Sequence, residues 1–135
     1  MAELSDQHLL AEARELPRIF KIAYKNPDIK NIPTEYKMGT GHVIFFKDKL
    51  QFISNRYREL IKELKSRMIN WRFDNSEQFL FGWQVEFTNA GLGHLYNDWC
   101  PTEEEIKISS DRIQEKLDNP PRAGFYTWNK NDKQI

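Results

Sequence analysis

Leu9, Ala13, Leu16, Phe20 and Ala23 recur at alternating steps of four and three, and that spacing commits the stretch from about Ser5 to Lys25 to one amphipathic helix. Ser5 or Asp6 can cap its start. Pro17 lies inside the pattern, so a bend is expected near residues 13–17. A second stripe, Leu50, Ile53, Tyr57, Leu60, Ile61, Leu64 and Met68, predicts another helix from about Asp48 to Arg67. Helices with one apolar face must bury it against another element, so the two together point to a layered helical domain.

Thr102-Glu103-Glu104-Glu105 has the form of a capping box with acids where the helix dipole favours them, and it opens a third helix through about Leu117. Asn119-Pro120-Pro121 stops it. Between the second and third helices, Phe79, Phe81, Trp83, Val85 and Phe87 alternate at period two, the signature of a half-buried strand. Asn89-Ala90-Gly91-Leu92-Gly93 reads as a turn, as do Asn31-Ile32-Pro33-Thr34 and Gly39-Thr40-Gly41. The chain has 135 residues, the usual size of one domain. The expected fold is therefore mainly α: a compact single domain over residues 1–135, built as a bundle of three principal helices with an aromatic strand-like or hairpin insertion before the third.

Formal net charge is zero, yet the charges are unevenly distributed. Residues 14–72 hold fourteen Lys or Arg against six acids, whereas residues 73–105 hold seven acids and no Lys or Arg. A separation of this size is open to two readings, an ordinary solvated face or a cationic face for nucleic acid, and it raises the case for the second. The lone Cys100, beside Trp99, cannot form an internal disulfide and is expected to be buried. No leader and no run of about 18 apolar residues is present, so the chain reads as a soluble, cytoplasmic monomer with no membrane partner.

Arg14, Arg18, Lys21 and Lys25 form one stripe on the first helix, which is either a face that can lie along phosphates or an ordinary solvated one. Glu15 falls roughly 90° from that stripe, with His8 two turns earlier at nearly the same angle. Glu15 is open to two readings: a carboxylate at a cleft wall, or half of a surface ion pair with Arg14 or Arg18. His8, His42 and His94 are too dispersed in sequence to suggest a metal site, and Gly39-Thr40-Gly41-His42 lacks the lysine of a phosphate loop. Neither a metal nor another cofactor is expected.

The runs Glu3-Leu4-Ser5-Asp6-Gln7-His8-Leu9 through Arg14-Glu15-Leu16-Pro17-Arg18, Gly39-Thr40-Gly41-His42-Val43-Ile44-Phe45-Phe46-Lys47-Asp48-Lys49-Leu50 and Asp98-Trp99-Cys100-Pro101 resemble the pyrimidine-dimer DNA glycosylases, the phage-type endonuclease V family. The resemblance implies a protein that binds ultraviolet-damaged duplex DNA and displaces a base from the stack, at a cost lowest where damage has already weakened pairing. It further implies a terminal amine that attacks the sugar C1′, releases the base through an imine and allows strand scission. Glu15 matches the family's catalytic glutamate. Arg14 and Arg18 match its phosphate-gripping arginines, Arg112 and Lys116 a second basic pair, and Gln7 and His8 polar residues beside the site.

Three departures accompany the resemblance. The family's nucleophile segment precedes the position of Met1, and about 20 Å of helix would separate Ala2 from Glu15. The stretch around residues 26–32 is shorter and less basic than its counterpart. The acidic, aromatic segment 73–97 is a candidate surface for a protein partner.

Overall fold

Ser5 caps the first helix as expected: its hydroxyl accepts the His8 backbone N–H at 3.1 Å, and α1 then runs unbroken from Asp6 to Lys25, through Pro17. The computed structural model describes residues 4–28, 32, 42–69 and 76–128. The turns expected at Asn31, Pro33-Thr34 and Gly39-Thr40-Gly41 lie outside the described residues. After α1 come a single turn, α2 (His42–Phe45), a 3-10 turn (Phe46–Asp48), α3 (Leu50–Ser66), α4 (Ser76–Asn89), a second 3-10 turn (Gly93–Leu95) and α5 (Glu103–Asp118). Among the described residues all regular structure is helical.

α1 and α3 form the centre. α1 buries Leu9, Ala13, Leu16, Ile19, Phe20 and Ala23, and α3 buries Leu50, Ile53, Tyr57, Leu60, Ile61 and Leu64. These are the two stripes the spacing predicts, joined in one cluster by Phe45, Phe46, Leu80, Phe87 and Leu95. Met68 departs from its stripe. It stands past the end of α3, 74% exposed, with φ at +60°. The Met68 N–H donates to the Lys65 carbonyl and the Ile69 N–H to the Leu64 carbonyl, each at 3.0 Å, so a Schellman motif closes α3 with methionine where glycine is usual. The same motif closes α4, where Gly91 supplies the positive φ and Leu92 N–H reaches the Phe87 carbonyl at 2.8 Å.

The strand expected from Phe79 to Phe87 is a helix. Ser76, Leu80 and Phe87 are buried and Trp83 is half-buried, a stripe spaced by four, three and four. The period-two set is a coincidence of composition: it includes Phe81, which is 66% exposed, and Val85, also exposed, and it omits Leu80. α4 is held by aromatic contacts, Trp83 stacking on Phe20 at 6.1 Å and Phe79 lying 6.0 Å from Tyr57. Its packing resolves a pattern that neighbouring residues alone leave ambiguous. Four long helices, not three with a strand, make up the described chain.

Cys100 is exposed, contrary to expectation; its neighbour Trp99 takes the interior position, edge-on to Phe45, Phe46 and Phe52. α5 begins with the predicted capping box, Thr102 Oγ1 accepting from Glu105 N–H at 3.1 Å and Thr102 N–H donating to Glu105 Oε1 at 2.8 Å. No residue of α5 is buried, and Ile113 packs only partly on the core.

Arg67 fixes how these parts meet. Its side chain is fully enclosed, donating from Nη1 to Asp6 Oδ1 at 2.9 Å and from Nε to Glu63 Oε2 at 2.8 Å. Asp6 in turn accepts from Thr127 Oγ1 at 2.7 Å, and its N–H donates to the Thr127 carbonyl at 2.7 Å. Gln7 completes the tie, accepting from Thr127 N–H at 2.8 Å. The start of α1, the end of α3 and the C-terminal strap are thereby joined at one buried charge.

Replacing Arg67 by Ala leaves two carboxylates without their cation in a closed site and is expected to cost about 3–5 kcal/mol in urea denaturation. Met68→Gly, in contrast, is expected to raise stability by about 1 kcal/mol in the same assay, because it relieves a left-handed side-chain conflict while sacrificing no burial.

Candidate nucleic-acid interface

α1 presents three kinds of residue on successive faces. Its core stripe turns toward α3, Arg14, Arg18, Lys21 and Lys25 are exposed, and His8, Glu12 and Glu15 follow the border between them. The two carboxylates at that border have different fates. Glu12 is clamped by a fork from Arg56 of α3, with Nε at 2.6 Å and Nη2 at 2.9 Å. Glu15 is exposed and makes no ion pair with any described residue, so the surface-pair reading with Arg14 or Arg18 is not what the chain adopts. It stays an uncommitted acceptor on a helix whose rotation is fixed by its neighbour three residues earlier.

The cations divide in the same way. Arg56, Arg58 and Arg67 are engaged with Glu12, Glu77, and Asp6 with Glu63. Arg14, Arg18, Lys21 and Lys25 on α1, and Arg112 and Lys116 on α5, are exposed and hold no ion pair among the described residues. Arg56, Arg58 and Arg67 tie the bundle together through carboxylates, whereas these exposed cations of α1 and α5 make no such pair among the described residues. Free, forked donors spaced along a helix match phosphate oxygens.

His8 stands where α1, α5 and the C-terminal strap converge. Its ring stacks on Tyr126 with centroids 4.9 Å apart and planes within 7° of parallel. Ser5 Oγ lies 2.6 Å from Nδ1, and Nε2 is enclosed without a hydrogen-bond partner. Burial, and secondarily the charge of Lys116, hold the His8 pKa below 6.5. Lys116 stands in the last turn of α5. The Gln7 amide is engaged by Thr127, donating from Nε2 at 3.1 Å and accepting at Oε1.

Of the residues expected at the site, Arg14, Glu15 and Arg18 thus share one exposed part of α1, while Lys116, whose charge acts on His8, and Arg112, one turn before it, belong to α5. Arg56 carries a structural role near the site that the sequence gives no means of finding, since it is separated from Glu12 by forty-four residues and its own helix pattern marks it only as polar. Among the described residues no cluster of His, Cys, Asp and Glu could hold a metal ion, and no helix is long and apolar enough to cross a membrane.

The His8 shift has a definite sign. The folded state resists protonating this ring, so the unfolded chain binds more protons in the interval below 6.5. Stability is therefore full above pH 6.5, falls as pH drops through 6.5, and levels off below the lowered folded pKa. His8→Gln is expected to flatten this part of the profile, measured as the difference between urea midpoints at pH 7.5 and pH 5.5 for the two proteins.

Residues 1–76, which span α1, α2, α3 and the start of α4, match the family model described as pyrimidine dimer DNA glycosylase. The match takes in Glu15, Arg14 and Arg18 and ends before Arg112 and Lys116. It covers more than half of the chain, in the part that carries the free carboxylate and the free arginines: the protein belongs to the pyrimidine dimer DNA glycosylase family.

Proposed function

We propose that this chain is a DNA repair glycosylase and abasic-site lyase acting on pyrimidine dimers in ultraviolet-damaged duplex DNA. The observation that carries the reading is the division of charged groups. Glu15 and the flanking Arg14 and Arg18 are exposed and unpaired on a helix otherwise fixed by buried and ion-paired side chains. Arg14 and Arg18, with Arg112 and Lys116 on α5, hold phosphates and set the register of the duplex, supplying affinity that falls with salt. Damage lowers the cost of drawing the nucleotide out of the stack, and lesion preference follows from that saving.

The chemistry is acyl-free and needs no metal in this reading. An amine of the chain, neutral at the moment of attack, bonds to C1′ as the bond from C1′ to the base breaks. Loss of the amine proton and opening of the sugar ring leave an imine, and removal of a C2′ proton expels the 3′ phosphate. In the proposed reaction Glu15 shuttles these protons and stabilises cationic charge at C1′. A terminal amine suits the task because its ordinary pKa near 8 leaves a usable neutral fraction at physiological pH. Gln7 and His8 brace the start of the helix that carries Glu15.

Incubation with irradiated duplex DNA and borohydride tests this directly, since reduction converts the imine to a stable adduct whose attachment point is read by mass spectrometry. An adduct that disappears in Glu15→Gln while binding persists is the expected result. Salt-dependent binding with no adduct in the parent protein overturns the catalytic claim and makes the chain a damage-binding module. Arg14→Ala and Arg18→Ala are each expected to lower the slope of log affinity against log salt by about 1, equally on damaged and undamaged duplex. An unchanged slope removes these residues from the interface.

A further inference from the structure

α4 lies almost entirely beyond the family match, and it carries surface that packing does not explain. An open groove of ≈ 410 Å³ runs between it and the end of α1, lined by Tyr24, Gln78, Phe79, Gly82, Trp83 and Glu86. Its size is that of a small-ligand or side-chain pocket. Tyr24 and Trp83 meet at 60° with centroids 5.8 Å apart, forming an aromatic corner. Gly82 lines the groove, and a Cβ there would meet nothing within 4 Å, so no close packing demands glycine at a mid-helix position where it weakens the helix.

The charge at this groove is negative and unspent. Glu77 is taken up by Arg58 at 2.7 Å, but Glu86 has only the Tyr24 hydroxyl, donating at 3.5 Å, and no ion pair among the described residues. Lys21 and Lys25 occupy the adjoining face of α1 without reaching it. Residues 73–105 contribute no Lys or Arg of their own. On the same helix, one turn apart and outside the groove lining, Phe81 and Val85 are exposed. Aromatic faces with an adjacent free carboxylate attract a cationic side chain, and exposed apolar side chains on the same helix take the residues around it.

We propose that this groove is a docking site for a protein partner, seating an arginine or lysine side chain on Trp83 and Tyr24 with its charge on Glu86 while flanking apolar residues cover Phe81 and Val85. The site is separate from the exposed Glu15 and its arginines, and the proposal does not depend on the DNA reading.

The probe is an amidated nine-residue peptide of alternating arginine and leucine, titrated into isotope-labelled full chain and followed by nuclear magnetic resonance at the Trp83 indole and the Gly82 amide. Saturable shifts at both are expected, with affinity about tenfold weaker for Glu86→Gln, at least tenfold weaker for Gly82→Leu, and similarly reduced when citrulline replaces arginine in the peptide. Both variants leave the core untouched, and Gly82→Leu raises helix propensity, so loss of binding is not loss of fold. Shifts insensitive to Glu86→Gln, shifts confined to α1 or α5, or saturation by a mononucleotide in place of the peptide would each overturn the proposal. So would groove signals that move with protein concentration alone, because a second copy would then be the occupant.

Discussion

The enclosed guanidinium of Arg67 is the point on which the arrangement of this chain turns. A buried cation is tolerated only when its donors meet acceptors, and here those acceptors come from α1 and from its own helix. Because Asp6 is also engaged by Thr127, the C-terminal strap is drawn across the start of α1, and Tyr126 is brought onto His8. The Schellman turn at Met68 follows immediately and directs Ile69 back toward the core. A local backbone conflict, a buried charge and a contact spanning the length of the chain thus belong to one junction.

That junction also explains why the surface of α1 is available. The helix is held from its core side by apolar packing, at its start by Asp6 and Gln7, and along its border by the Arg56 fork on Glu12. None of these ties uses Glu15 or the outward arginines. Rigidity is supplied by one set of charged groups while the other is left unengaged, and a side chain on a helix held in this way keeps a fixed position.

The segment 76–89 shows where sequence patterning reaches its limit. Five large apolar residues at alternate positions satisfy a strand template, yet Leu80, Trp83 and Phe87 satisfy a helical one within the same window. The deciding factor is what lies opposite: Phe20, Tyr57 and Tyr96 offer aromatic surfaces to one stripe of a helix. The residues left outside that stripe, Phe81 and Val85, then stand in solvent, and the groove on the same helix exists only because the segment is helical. α5 presents the reverse case, with its capping box and terminus legible in Thr102, Glu105 and Asn119 because those interactions are local.

The sequence by itself determined α1, α3 and α5 to within a residue or two, the caps that start α1 and α5, the separation of charge along the chain and the family resemblance centred on Glu15, since each rests on contacts between near neighbours or on residue identity. Tertiary structure alone decided that Glu12 would be tied and Glu15 left free, that Arg67 would be buried while Met68 was exposed, and that the 76–89 stretch would coil. Those outcomes depend on partners tens of residues distant, whose meeting is set by burying apolar faces together and by the need of every enclosed charge for an opposite one.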